Sequence, residues 1–87
     1  MAYINLSARI NVPVIASFNT KGDCIPLYFR YIFPDDSYTD FSIDRIIETK
    51  RGSRKTTYIC EVTVYDIRHT IKLVHFLDQE LWAINAY

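Results

Sequence analysis

Four cations fall within six consecutive positions of this chain: Lys50, Arg51, Arg54 and Lys55. Phosphates are held by clustered cations, and a β-loop can present such a cluster to a nucleic-acid backbone. Tyr38 and Tyr58 are candidates for base stacking beside it. The plainer reading is a charged hairpin tip that stays solvated, and it is preferred because like-charge clusters are common in turns. Ten basic residues balance ten acidic ones. That balance argues against a surface devoted as a whole to nucleic acid or membrane.

The other reactive side chains are scattered. His69 and His75 are the only histidines, and neither neighbours a nucleophile, base and orienter in sequence. His75 shares its strand parity with Ile71 and Leu73, which places it at the edge of a core. Cys24 and Cys60 are too few for a disulfide framework and lack metal-ligand spacing. They read as reduced thiols, with Cys60 in the core. Asp35, Asp36 and Asp40 lack the ligand order of a calcium loop and read as turn chemistry. Asp44 and Arg45 are adjacent, so in a strand they point to opposite faces and pair across strands rather than with each other. Two isolated glycines cannot form a phosphate-cradling loop. No catalytic constellation is legible, and no cofactor or metal is expected.

What must position these residues is a set of strands. Apolar residues recur at every second position in Ile10–Phe18, Ile25–Phe33, Tyr58–Val64 and Ile71–His75. A period of two marks strands with one face on a core. The strands are expected near Arg9–Asn19, Cys24–Phe33, Tyr38–Thr49, Thr56–Tyr65, Thr70–Leu77 and Leu81–Asn85, after a lead-in arm over 1–8. Pro13 cannot donate to a ladder, so the first strand is an edge or is bulged there. Thr20–Asp23 and Pro34–Ser37 are turns, the first using Gly22 at positive φ. Asp66–His69 is read as the connection before the fifth strand. In the third strand Phe41, Ile43 and Ile47 share one parity and Ile46 the other. A bulge near Asp44–Ile46 would repair that register, and a short helix over Asp44–Lys50 is the competing local reading.

The 87 residues make one domain, 49% apolar and 15% aromatic. The expected fold is all-β: a small antiparallel meander of five to six strands curled into an SH3-like barrel, with a curled open sheet as the fallback. No apolar run is long enough to span a membrane, and the start MAYINLSARI lacks the pattern of a secretion signal. The expected location is cytoplasmic.

Several residues with valine–proline and tryptophan landmarks also carry a family resemblance. Val12-Pro13-Val14, Gly22, Ile25 and Pro26, the run Ile43-Asp44-Arg45-Ile46 and Trp82 resemble the pattern of a group of short uncharacterised bacterial proteins, mostly of Firmicutes. The resemblance covers most of residues 12–84. It implies a small β fold and a bacterial setting, and it brings no activity and no site residues.

Some strands are apolar on both faces. Tyr28 and Ile32, Ile59 and Tyr65, and Val74 and Phe76 oppose the core-facing parity of their strands. A second apolar face needs a cover, from the chain termini or from another molecule. The functional expectation is therefore a non-catalytic module that associates with protein, as a homodimer or as a subunit of an assembly. Its surface would comprise Tyr28, Ile32, Ile59, Tyr65, Val74 and Phe76. The alternative is a nucleic-acid-binding barrel using Lys50, Arg51, Arg54 and Lys55.

Overall fold

A computed structural model describes residues 9–86. The expected lead-in arm, 1–8, lies outside the described residues. Eight strands follow in order: β1 (Ile10–Asn11), β2 (Val14–Phe18), β3 (Cys24–Ile32), β4 (Tyr38–Ser42), β5 (Arg45–Arg51), β6 (Lys55–Val64), β7 (Ile67–Phe76) and β8 (Leu81–Ala86). They form two antiparallel sheets. The larger has the order β1-β8-β7-β6-β5 and the smaller β2-β3-β4. The all-β meander is observed. The closed SH3-like barrel is not, because the strands divide into two sheets instead of forming one ring. No helix among the described residues is long and apolar enough to cross a membrane.

Two expected strands are each broken in two, and the breaks create the second sheet. The first breaks at Val12-Pro13, between β1 in the large sheet and β2 in the small one. Pro13 offers no N–H, but its carbonyl accepts from Arg30 N at 2.9 Å. The third breaks at Ile43-Asp44, between β4 and β5. There Ile43 N donates to the Leu27 carbonyl of the small sheet, and Asp44 N donates to the Glu61 carbonyl of the large one. Such corners let a continuous chain serve two packed sheets. The expected bulge is present but sits at Ile47, which is skipped as β5 pairs Ile46 with Cys60 and Glu48 with Ile59. It restores Ile46 to the core and turns Ile47 outward. No helix forms over Asp44–Lys50.

The turns follow local chemistry. Gly22 takes φ 82°, and the Asn19 Oδ1 accepts from the backbone N–H of both Lys21 and Asp23. Asp35 accepts from the Ser37 backbone N–H and hydroxyl, and the hydroxyl bond is the leading cause of its lowered carboxyl pKa. The β6–β7 connection is shorter than expected. Strand resumes at Ile67, and Tyr65 and Asp66 form the loop with φ 49° and 64°. Positive φ at both loop positions matches the right-handed twist of the flanking strands.

The two sheets close on one layer of side chains. Phe29, Tyr31 and Phe41 from the small sheet meet Tyr58, Cys60, Val62, Ile71, Leu73 and Ile84 from the large one. Phe29 and Phe41 pack with ring centroids 5.4 Å apart. Burial of each such side chain stabilises by about 1.5–3 kcal/mol. Burial also pushes the Cys60 thiol up to about 12, so it stays protonated. No buried side-chain nitrogen or oxygen among the described residues lacks a partner.

Leu73 is fully buried at the middle of this layer. Leu73→Ala should therefore cost about 2–5 kcal/mol in urea unfolding. A loss under about 1 kcal/mol would show that the layer is not the core.

Candidate functional site

The small sheet buries one face and leaves the other bare. Its register sets Ile15 beside Tyr28, Tyr28 beside Ser42, Arg30 beside Asp40 and Ile32 beside Tyr38. Alternation sends Phe29 and Tyr31 inward and Tyr28, Arg30 and Ile32 outward. Leu27 is the extra residue of a bulge, since Ile15 pairs with Tyr28 and Ala16 with Pro26. It is therefore exposed, contrary to its expected place on the core face with Phe29. Ile25 is also exposed, beside Ser17. The outer face thus presents Ile15 (60% exposed), Tyr28 (46%), Ile32 (50%) and Tyr38 (56%).

A charged pair crosses the middle of this apolar face. Arg30 Nε and Nη2 donate to the two Asp40 oxygens at 2.8 and 3.2 Å. The guanidinium also lies 3.7 Å from the Tyr38 ring centroid. This hydrogen bond is the main reason that the Asp40 carboxyl is held below its ordinary pKa. A dent of ≈ 230 Å³ opens beside the pair, lined by Pro13, Val14, Ile15, Tyr28, Phe29, Arg30 and Asp40.

The residues expected to form one partner surface do not lie together. Tyr28 and Ile32 are on the small sheet's outer face. Tyr65 is in the β6–β7 loop and exposed. Ile59 is buried, while Val74 and Phe76 are half-buried, on the outward side of the large sheet. The Arg9 guanidinium lies 4.8 Å from the centre of the Phe76 ring. The physical reason is the second sheet. Outward faces of two packed sheets point in opposite directions, so equal parity on different strands does not make one surface. Ile15 and Tyr38 were missed, although each opposes the parity of a core residue on its own strand, Val14 and Phe41.

The basic cluster is split as well. Lys50 lies 3.8 Å from Glu48, and Arg51 lies 3.6 Å from Asp23. Lys50 and Arg51 are neighbours on β5 and point to opposite faces. Arg54 and Lys55 stand at the following turn, where the Lys55 carbonyl accepts from Gly52 N and the Arg54 carbonyl from Leu77 N. All four side chains are exposed, but two sit beside carboxylates. Asp44 and Arg45 pair across strands: Asp44 accepts from the Thr63 hydroxyl at 2.7 Å, and Arg45 meets Glu61 at 3.0 Å.

At one end of the large sheet, three rings stack. His75 lies 4.1 Å from Trp82 with the rings 4° from parallel, and Tyr58 lies 5.8 Å from the other partner of that stack, Trp82. Tyr58 donates its hydroxyl to the Cys24 carbonyl at 2.6 Å. Burial raises the pKa of the Tyr58 phenol and of the Cys24 thiol, Arg51 opposing both. Burial lowers the pKa of His75 against an opposing pull from Glu80. An open pocket of ≈ 500 Å³ lies near Trp82, between residues 11–14 and 80–82. Among the described residues no group of three or more His, Cys, Asp or Glu could hold a metal ion. His69, partly buried on β7, is opposite Val62 and away from the stack.

Comparison with protein-family models, curated proteins and solved structures gives no match.

The His75–Trp82 stack gives a pH signal. Because the folded His75 is less easily protonated than the unfolded one, its contribution to stability is present above the ordinary histidine pKa and is lost as pH falls through the folded value. Protonation puts an imidazolium against the single tryptophan. Trp82 fluorescence should fall on acidification with a midpoint below 6.5, the ordinary value for histidine. His75→Gln should remove that transition. A transition that persists in the variant would assign the signal elsewhere.

Proposed function

We propose that this protein is a non-catalytic module that works through protein association, with the small sheet as its contact surface. One observation carries the reading: Ile15 with Tyr28, and Ile32 with Tyr38, about half exposed or more, flank the Arg30–Asp40 pair on the face of the small sheet that packs on nothing among the described residues. Scattered exposed apolar residues are ordinary, whereas a contiguous set marks a contact surface. Tyrosine and arginine at its centre fit the composition of such surfaces. The exposed ion pair adds orientation more than strength.

The basic cluster supports a nucleic-acid role less well, because Lys50 and Arg51 point to opposite faces and sit beside Glu48 and Asp23. The free thiols of Cys24 and Cys60 fit a reducing compartment, and a cytoplasmic location belongs to the same proposal. So does the bacterial setting that the resemblance implies.

Ile15→Asp tests the reading with little risk to the fold, since the side chain is exposed. Complex size is measured for both forms by cross-linking in extracts of the producing cells and by light scattering of the pure chain. Wild type should form a species larger than its 10.2 kDa monomer in at least one setting, and the variant should lose it. A wild type that is monomeric in both settings, or a complex indifferent to Ile15→Asp, would contradict the reading.

A further inference from the structure

The margins of the two sheets are not equally protected. An exposed edge strand offers unpaired N–H and C=O groups, and proteins blunt it with charge, bulges or shortness. β5 carries Arg45, Glu48, Lys50 and Arg51 and is bulged at Ile47. β4 carries Asp40, and β1 is two residues long. β2, Val-Ile-Ala-Ser-Phe, has five residues, no charge and no extra residue of its own, since the bulge beside it belongs to Leu27 of β3.

The hydrogen-bond phase of β2 is fixed at both ends. Arg30 N donates to the Pro13 carbonyl before it, and Asn19 N donates to the Asp23 carbonyl after it. In an antiparallel ladder alternate residues bond to the neighbour. Ile15 and Ser17 therefore face β3, and the backbone groups of Val14, Ala16 and Phe18 face away. Ala16 stands opposite Pro26, a residue with no N–H to share.

We infer that two copies of this chain join edge to edge, β2 pairing antiparallel with β2 of the second copy and Ala16 on the two-fold axis. This rests on the association reading and names its partner. In that register each outward N–H meets an outward C=O, giving about six hydrogen bonds across the axis. An isologous contact must complement itself, and a strand without charge meets its own copy with no repulsion. Val14 of one copy falls beside Phe18 of the other, and covers a ring that is 69% exposed although its parity faces inward.

Edge pairing extends the three-stranded small sheet to six strands, with the faces of the two copies continuous across the axis.

The purified full chain is tested by sedimentation across a range of concentrations. Wild type should behave as a reversible dimer. Ala16→Pro removes an outward N–H that the small sheet does not use, so it should keep the wild-type circular dichroism spectrum and weaken dimerisation at least about tenfold. Ile67→Asp changes an exposed residue of β7 in the large sheet, away from both β2 and the small sheet's outer face, and should leave the dimer intact. If Ala16→Pro fails to fold, Phe18→Lys makes the same test with a charge on an exposed edge residue. A purified wild type that stays monomeric would overturn the β2 dimer, while a larger complex in cell extract that Ile15→Asp dissolves would keep the association reading. A dimer that survives Ala16→Pro, or Phe18→Lys in its place, but is lost in Ile32→Asp would overturn edge pairing in favour of face-to-face contact. A dimer that survives all of these variants would overturn edge pairing as well.

Discussion

One layer of side chains between two unequal sheets holds this molecule together. Phe29, Tyr31 and Phe41 on one side and Cys60, Val62, Ile71, Leu73 and Ile84 on the other are its members. So short a chain has little surface to bury, so most of its inward positions go to this layer. The corners at Val12-Pro13 and Ile43-Asp44 exist because the same chain has to supply both sides of it. They carry β2, β3 and β4 away from the large sheet and fold them over its apolar face.

That constraint also sets what is left over. A three-stranded sheet packed on one side has a second face and two margins, and nothing among the described residues covers them. Ile15, Tyr28, Ile32 and Tyr38 are exposed for this reason, not because their strands are poorly formed. The Arg30–Asp40 pair sits in the middle of the face and fixes β3 to β4 on its solvent side. The large sheet differs. Its outer margin at β5 is charged and bulged, and Ile59 and Ala83 on its other face are buried. The two sheets are thus asymmetric, and the small one is the less protected.

Much of this was legible in the sequence at the level of single strands. The inward parity of Tyr58, Cys60, Val62 and Val64, and of Ile71 and Leu73, is as alternation gives it. The Gly22 turn and the Asp35 turn followed from local chemistry. What alternation cannot convey is which sheet a strand belongs to. Ile32 and Phe76 both oppose the core parity of their strands, yet they lie on opposite sides of a two-layer structure. Pro13 was legible as an interruption, but its role as a corner depends on Arg30, seventeen residues later. The bulge at Leu27 was hidden because Leu27 and Phe29 share a parity in the sequence, and only the pairing with β2 shows the skipped residue. The Tyr65-Asp66 loop has no glycine, so its positive φ values had no local signal.

The claim that the bare β2 margin is where copies meet is tested most directly by amide hydrogen exchange at low and high protein concentration. Ile15 and Ser17 amides, which face β3, should exchange at rates independent of concentration. The Val14, Ala16 and Phe18 amides should exchange quickly when dilute and slow by at least about tenfold when concentrated, because only the second copy protects them. Fast exchange of those three amides at every concentration would contradict the account.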